Sequence, residues 1–211
     1  MGAIFSHNAV AQIWRAHRLK PHRLEGYIAR NDPQFEQKAA DTIGLYLNPS
    51  AHAAVFCVDE KTAIHALDRK DPVLPLSHGR AERHGFECKR YGKLSLYAAF
   101  ATQTGQVIGK TENRHTSAEF VAFLGEIIES QPAKPEIHVI ADNLSAHKPQ
   151  KVTDFLVQQP KVHLHYAPTY SSWLNQVELR FAKIERDVIA RGVFTSVPDV
   201  KKKLMRYIRQ Y

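Results

Sequence analysis

The chain has 211 residues, of which 44% are apolar, and a formal net charge of +8. This length and composition are sufficient for a buried core and exclude a disordered protein, and only two cysteines, Cys57 and Cys88, exclude a disulfide-stapled secreted scaffold. No stretch approaches the roughly 20 apolar residues of a membrane span, and the N-terminus lacks a signal-peptide pattern. We therefore expect a cytoplasmic protein without a membrane partner.

The positive charge is concentrated at the two ends of the chain. Residues 1–23 contain four Lys or Arg and no acid, and residues 179–211 contain nine bases and three acids, whereas the middle contains 16 bases and 18 acids. Basic ends around an acidic centre are typical of a protein that grips phosphates around a carboxylate site. A solvated surface gives the same composition, so charge alone leaves both interpretations open.

Two helices are predicted at the start of the chain. The first runs from a cap at Ser6 to about His17. The second opens at Asp32-Pro33, ends at Asn48-Pro49, and turns an apolar stripe inward that consists of Phe35, Ala39, Ile43 and Tyr46.

Strand-length apolar runs and helical stripes then follow in a definite order. Four runs predict a meander: 53–59, 62–67, 94–102 and 106–110. Helices and strands then alternate: a helix around 120–128 capped by Thr116 or Ser117, a strand 137–141, a helix 150–158, a strand 162–166, a helical stripe 174–188 and a basic helix 200–211. This order predicts an α/β protein with a mixed sheet and helices on both faces.

Three carboxylates lie at the ends of apolar segments. Asp59 ends Ala-Val-Phe-Cys-Val-Asp, Asp142 ends Ile-His-Val-Ile-Ala-Asp, and Glu178 lies on the border of the stripe 174–188. Strand ends meet at one crevice of an open sheet, and carboxylate oxygens suit Mg²⁺ or Mn²⁺. Two such ions can clamp the oxygens of a phosphodiester, although strand-end acids also cap turns and helix-border acids form weak surface pairs.

Two other acids compete for the same site. Glu60 follows Asp59, but strand alternation sends it to the opposite face, so we rank it second. Glu185 lies two helical turns, about 10.8 Å, beyond Glu178, which is too far for both to bind one metal pair. We expect Glu185 to pair with a surface base.

Three segments together resemble the IS630-type transposases of the Tc1/mariner superfamily. They are Val-Asp-Glu-Lys at 58–61, Ala-Asp-Asn-Leu-Ser-Ala-His-Lys at 141–148 and Ser-Ser-Trp-Leu-Asn-Gln-Val-Glu at 171–178. Thirty-five residues separate Asp142 from Glu178, a spacing typical of the Asp-Asp-Glu triad of that family. Gln176 departs from the pattern, because many family members have Pro there.

The resemblance implies an RNase H-like fold in which Asp59, Asp142 and Glu178 hold two Mg²⁺ or Mn²⁺ ions. It also implies cut-and-paste DNA transposition, with terminal inverted repeats and a TA target as DNA partners and a homodimer on the DNA. By the same resemblance, residues 1–32 are expected to be a remnant of a helix-turn-helix region in a truncated copy, and residues 33–211 the catalytic domain. The rivals are a ribonuclease H or Holliday-junction nuclease, and an inactive DNA-binding remnant.

Several further side chains are secondary candidates. Asn143 and His147 follow Asp142 and are placed to orient a carboxylate or touch a phosphate, although Asn143 is equally suited to cap the next helix. Trp173 and Asn175 are candidates for positioning Glu178 or contacting DNA, with a packing anchor as the alternative for Trp173. His163 and His165 share one strand face but lack a third zinc ligand nearby. The predicted DNA-binding bases are Arg15, Arg18, Lys20, Arg23, Lys201, Lys202 and Lys203, although the three lysines also suit a solvated terminal helix.

Overall fold

The computed structural model describes residues 7–17, 32–70, 74–75, 77–81, 83, 87–131, 135–142 and 150–210. The chain divides into two compact units, Met1–Arg30 and Asn31–Tyr211. In the first unit, α1 spans His7–Ala16, and its Ile13 and Trp14 are exposed. A helix-turn-helix origin of this unit stays a prediction.

The second unit contains five strands and five helices among its described residues. Its elements are α2 (Phe35–Leu47), β1 (Ala53–Arg69), β2 (Cys88–Ala101), β3 (Val107–Glu112), α3 (Ser117–Glu129), β4 (Glu136–Ala141), α4 (Gln150–Gln158), β5 (Val162–Tyr166), α5 (Val177–Ile184) and α6 (Val197–Ile208). A 3₁₀ turn, Ser172–Leu174, precedes α5, and a π turn, Glu185–Ile189, follows it.

The five strands form one mixed sheet in the order β3-β2-β1-β4-β5. Strands β1, β2 and β3 are antiparallel neighbours, which is the predicted meander. Strands β4 and β5 are parallel to β1, because helices α3 and α4 carry the chain back to the same end of the sheet. Strand β1 is therefore central.

Each face of the sheet is covered by helices, so the predicted architecture is confirmed. Alternation along β1 sends Val55 and Cys57 to one face and Phe56 and Val58 to the other. The first face packs against α5 and α6, which contribute Val177, Phe181, Ile184, Val200, Leu204 and Ile208. The second packs against α3 and α4, which contribute Phe120, Phe123, Leu124, Ile127 and Val152.

Two predicted strand boundaries are wrong: β2 begins at Cys88, six residues before the predicted start, and the first two predicted strands are not separate. The runs 53–59 and 62–67 are one strand, β1, because a β-bulge absorbs the polar residues between them. Lys61 pairs with Leu96 and Ile64 with Leu94, so one extra residue is inserted in β1. Ala63 has a φ of 55°, a left-handed conformation that accommodates the extra residue without ending the strand.

The inward face of α2 is rotated from the predicted one. Ile43 is 41% exposed, whereas Thr42 is fully buried. Two polar contacts with distant segments accompany this rotation: the Thr169 N–H donates to Asp32 at 3.0 Å, and the Tyr46 hydroxyl donates to the Leu174 carbonyl at 2.6 Å. Polar anchoring thus overrides the apolar pattern.

The capping of two helices follows the sequence rules. Thr116, one of the two predicted caps, caps α3 and forms a capping box with Glu119. Helix α6 begins at Val197, three residues before the predicted start, because Ser196 accepts a hydrogen bond from the Asp199 N–H. None of the helices in the described ranges has the length and apolar character needed to cross a bilayer.

Candidate active site

Asp59 and Asp142 lie side by side where the parallel ladder between β1 and β4 ends, although β1 itself continues past Asp59 to Arg69. The ladder between β1 and β4 ends at Val58 and Ala141, and each aspartate is the next residue along its chain. Neighbouring strands lie about 4.8 Å apart, so this register sets the two carboxylates next to each other. Both point to the face that α5 covers, because Cys57 and Ile140, two residues earlier, belong to that core.

Glu178 reaches the same place from α5. The helix is anchored to that face by Val177 and Phe181, which pack in the same core as Cys57 and Ile140. Glu178 lies in the first helical turn and is half-buried. This position brings the third acid over the sheet edge, on the side where Asp59 points.

The electrostatics of Asp59 show that the three carboxylates share one environment. Asp59 is only 6% exposed. Burial, followed by the negative charge of Asp142 and, more weakly, those of Glu60 and Glu178, raises the pKa of Asp59 to about 8 from an ordinary value of 3.8, although the Glu60 N–H donates to it at 2.7 Å. No lysine or arginine of the described ranges forms an ion pair with Asp59, so its charge calls for a cation.

The side chains do not by themselves form a closed metal cage. Within the described residues, no three histidine, cysteine or acidic side chains lie close enough together to hold a metal ion as they stand. The donor chemistry nevertheless fits a hard divalent cation, because Asp59 is buried without a cation and lies within the electrostatic influence of Asp142 and Glu178. Binding would draw the carboxylates together by cancelling the repulsion between them.

The two competing acids are occupied elsewhere. Glu60 lies on the opposite face from Asp59, where its charge helps to raise the pKa of Tyr97, a residue of the core under α3. Glu185 forms an ion pair with Lys61 at 3.1 Å, so the prediction that it pairs with a surface base is confirmed. Glu185 also lies in the π turn after α5, a helical irregularity that is frequent at functional sites.

Asn175 fastens the start of α5 to the strand that carries Asp59. Its Nδ2 donates to the Val58 carbonyl at 3.0 Å, one residue before Asp59, and its own carbonyl accepts the Glu178 N–H at 3.1 Å. The side chain is 1% exposed, and its Oδ1 has no hydrogen-bond partner among the described residues. Asn175 is therefore placed to fix the separation of Glu178 from Asp59, one of the two roles considered for it.

A second tertiary hydrogen bond, which the sequence did not indicate, joins α2 to the segment that precedes α5. The Tyr46 hydroxyl donates to the Leu174 carbonyl and lies 3.1 Å from the Cys57 Sγ. Burial raises the pKa of the Cys57 thiol and that of Tyr46. Cys57 is thus a packed, unreactive side chain, and Tyr46 is a structural tether whose only sequence signal was its position on the inward stripe.

The remaining candidates near the triad differ in what the structure shows. Trp173 is 64% exposed, so the packing-anchor alternative is wrong, and a DNA contact stays a prediction. Asn143 and His147 lie outside the described residues, and their proposed roles also stay predictions.

The histidines on β5 have a partner that sequence spacing missed. His138 on β4 pairs in register with His163, its ring stacks on that of His163 at 5.0 Å, and its Nδ1 lies 2.9 Å from the Nε2 of His165. His165 Nδ1 in turn lies 2.6 Å from Asp41 of α2. Burial and the neighbouring histidines lower the pKa of His138. The facing nitrogens are committed to hydrogen bonds that tie α2 to the sheet, so the structure gives no support to a zinc site.

The predicted DNA-binding bases fall into three groups. Arg15 is exposed on α1, whereas Arg18, Lys20 and Arg23 lie outside the described residues. Lys201 and Lys202 are exposed on α6. Lys203 is engaged within the protein, because its Nζ lies 2.8 Å from Asp199 and donates to the Val193 carbonyl.

The family model for the DDE superfamily endonucleases matches residues 54–201, a span that contains Asp59, Asp142 and Glu178. The chain belongs to the DDE superfamily of endonucleases. The insertion element IS630 uncharacterized 39 kDa protein of Shigella sonnei is 27% identical over 116 residues, which are 55% of this chain and 34% of that protein. The resemblance to IS630-type transposases is thereby confirmed.

Solved structures confirm the RNase H-like fold. The Mos1 transposase paired-end complex with the left transposon end has a TM-score of 0.64 at 17% identity, over 98% of this chain and 64% of that chain. The catalytic domain of Mos1 mariner transposase has a TM-score of 0.62 at 18% identity, over 90% and 86%. This DDE endonuclease chain thus spans about a third of its curated relative and under two thirds of the Mos1 chain in the paired-end complex.

Asp59 makes the stability of the metal-free protein depend on pH. Because the folded state raises its pKa to about 8, its stabilising effect is full below its unfolded pKa near 4 and is lost as pH rises through 8. At pH 8 the free energy of unfolding of Asp59→Asn should therefore exceed that of the wild type by on the order of 1–3 kcal/mol. The part of the pH dependence of the unfolding free energy that Asp59 causes should be absent from the variant. Urea unfolding in EDTA at pH 5 and pH 8 measures both.

The matched control is Asp154→Asn, which changes an exposed carboxylate of α4. The change in its unfolding free energy between pH 5 and pH 8 should equal that of the wild type. If Asp59→Asn kept the wild-type slope, the carboxylate would not be held in a repulsive buried environment.

Asn175→Ala tests whether the amide positions Glu178. Loss of the amide removes the buried hydrogen bond to the Val58 carbonyl and should cost about 1 kcal/mol of unfolding free energy. If the amide also sets the spacing of the carboxylates, Mn²⁺ affinity by calorimetry should fall about 10- to 100-fold. Ser171→Ala is the control, because the buried Ser171 hydroxyl has no partner among the described residues. Unchanged Mn²⁺ affinity in Asn175→Ala would limit Asn175 to a structural role.

Proposed function

We propose that this DDE endonuclease is a DNA transposase that cuts and joins the strands at the ends of an insertion sequence with the help of divalent metal ions. The observation that carries the proposal is the buried Asp59 carboxylate, which lies beside Asp142 and Glu178 without a cation among the described residues. The relatives support it by their descriptions: one comes from an insertion element, and Mos1 transposase is seen in a strand transfer complex.

Mg²⁺ or Mn²⁺ is the cofactor that this donor set favours. Asp59, Asp142 and Glu178 would hold the ions through hard carboxylate oxygens. Mos1 transposase has been crystallised with each of these metals. When bound, two such ions supply activation of the attacking oxygen and stabilisation of the departing 3′-oxygen in phosphodiester cleavage and transfer.

The protein's own residues prepare this site in three ways. The parallel pairing of β1 with β4 fixes Asp59 against Asp142, and Asn175 sets Glu178 over them. Lys61 forms an ion pair with Glu185, which lies two helical turns beyond Glu178. Glu185 therefore does not compete with Glu178 for the cations. The buried position of Asp59 restricts water and strengthens the field on a bound phosphate.

The substrate of the proposed reaction is double-stranded DNA. Mos1 transposase binds a transposon end in its paired-end complex. By analogy we propose terminal inverted repeats as the cleaved DNA, a TA dinucleotide as the target, and a homodimer as the species that holds two ends. Each of these proposals rests on likeness to the family, and a cytoplasmic location stays a prediction.

Removal of any of the three carboxylates should abolish cleavage while leaving the fold intact. Asp59→Asn, Asp142→Asn and Glu178→Gln should each reduce Mg²⁺-dependent nicking of a supercoiled plasmid that carries the element's ends by at least about a hundredfold, because each variant loses a ligand charge. Thermal unfolding should show folded protein in every case.

Glu185→Gln is the control on the same helix. It should keep nicking within about threefold of the wild type, because Glu185 pairs with Lys61 and takes no part in the proposed site. Full activity in any triad variant would contradict the triad. Loss of activity in Glu185→Gln alone would move the third ligand to that residue, and nicking without strand joining in the wild type would indicate a nuclease.

A further inference from the structure

A basic groove runs across the face of the larger unit that carries α6. It consists of three successive cavities of about 640, 330 and 300 Å³. The first follows α6 and is lined by Pro198, Lys201, Lys202, Met205, Arg206, Arg209 and Gln210. We call the three cavities together the α6 groove.

Shared lining residues make the three cavities one continuous feature. Pro198 and Lys201 line both the first and the second cavity. Leu94 and Asn113 line both the second and the third, and the third also contains Lys93 and Arg114. Basic side chains therefore occur at both ends of the α6 groove.

Most of the bases that line the groove form no ion pair with an acid of the described residues. Within the described residues, Lys201, Arg206, Arg209, Lys93 and Arg114 form no ion pair, and all five are exposed. The one acid in the lining is Glu112, which lies 3.4 Å from Lys110. The lining of the α6 groove therefore carries a net positive charge, which is complementary to a polyanion.

The lysines of α6 differ in whether they pair with an acid one helical turn earlier, and Lys203 is the one that does. It pairs with Asp199 four residues earlier, the ordinary arrangement of a solvated helix, and lies outside the groove lining. Lys201 and Lys202 lack such a partner at that spacing and line the groove. This division favours a binding strip over a merely soluble surface.

The dimensions fit a nucleic-acid backbone. From Lys201 to Arg209 the helix advances about 12 Å, which is the axial length of three to four successive phosphates on one strand. The far end of the groove is lined by Thr62 and Ala63 at the bulge of β1, three and four residues beyond Asp59. A backbone that follows the groove therefore approaches the carboxylates.

We propose that the α6 groove binds the phosphate backbone of the DNA duplex on which the active site acts. This proposal rests on the proposed function for the identity of the occupant. Affinity comes from the bases of α6 together with Lys93 and Arg114, and Lys203 contributes to helix stability instead.

The test is the salt dependence of DNA binding in EDTA, where cleavage cannot occur. Fluorescence anisotropy with a scrambled 30-base-pair duplex is compared for the wild type and three double variants: Lys201→Gln/Lys202→Gln, Arg206→Gln/Arg209→Gln and Lys93→Gln/Arg114→Gln. Each lost phosphate contact should reduce the slope of log affinity against log salt by about one, so each double variant should lose about two.

The control is Lys161→Gln, which removes one charge at the start of β5, at the end of the sheet away from the carboxylates. Its slope should stay within about 0.3 of the wild type, and thermal unfolding should show that all variants are folded. Unchanged slopes in both α6 double variants would overturn the proposal. A change in the α6 variants alone would overturn the continuous groove, and tighter binding of a 30-nucleotide single-stranded RNA would overturn the duplex as occupant.

Nicking by the wild type in Mg²⁺ is measured in parallel and separates the two proposals. Absence of nicking with reduced slopes in the variants would contradict the transposase and support the groove. Nicking together with unchanged salt slopes in the variants would support the transposase and contradict the groove.

Discussion

The parallel pairing of β1 with β4 is the constraint on which the site depends. It is one short ladder, six residue pairs from Ala53 with Glu136 to Val58 with Ala141, and it is the ladder that connects the antiparallel half of the sheet to the parallel half. The ladder ends one residue before Asp59 and Asp142, so the pairing alone brings together two aspartates that lie 83 residues apart in sequence. A slip of one residue would turn one carboxylate into the opposite core.

The cost of this arrangement is concentrated at Asp59. A carboxylate that is buried and faces two others is destabilising when charged, and the raised pKa expresses that cost. The surrounding polar contacts relieve it only in part, since the Glu60 N–H is the one donor that lowers the pKa. The fold therefore holds the site in a strained electrostatic state that a divalent cation would relieve, which is the usual way that a functional site departs from optimal stability.

Most of the fold could be predicted from periodicity, and the misses have physical causes. Helix α4 and strand β5 were predicted to the residue, because apolar spacing and breakers agree there. Strand β1 was divided in two because a β-bulge and a turn have the same polar signature in sequence. The inward face of α2 could not be predicted correctly because it depends on the Tyr46 hydroxyl, whose acceptor on Leu174 lies 128 residues away.

The site shows the same limit. The three acids could be identified from their positions at segment ends and from the resemblance, because strand order dictates a shared crevice. The contacts that position them could not, since Asn175 and Val58 are brought together only by the tertiary fold. Likewise, His138 was overlooked beside His163 because neighbouring strands, rather than sequence spacing, make them partners.

The distribution of charge explains why one small unit can carry both a cluster of acids and a polyanion-binding surface. The acids lie where the ladder between β1 and β4 ends and are partly buried, so their fields act at short range, whereas the bases of α6 are exposed and act within a Debye length of about 8–10 Å. Gly109 leaves room for α6 on β3, because a Cβ there would approach the Ile208 side chain within 2.7 Å. The close packing of α6 on β3 thus fixes where the bases of the α6 groove lie relative to the sheet. A phosphate bound at Arg206 or Arg209 would therefore be attracted by exposed bases, whereas the partly buried acids repel it only at short range until a cation offsets their charge.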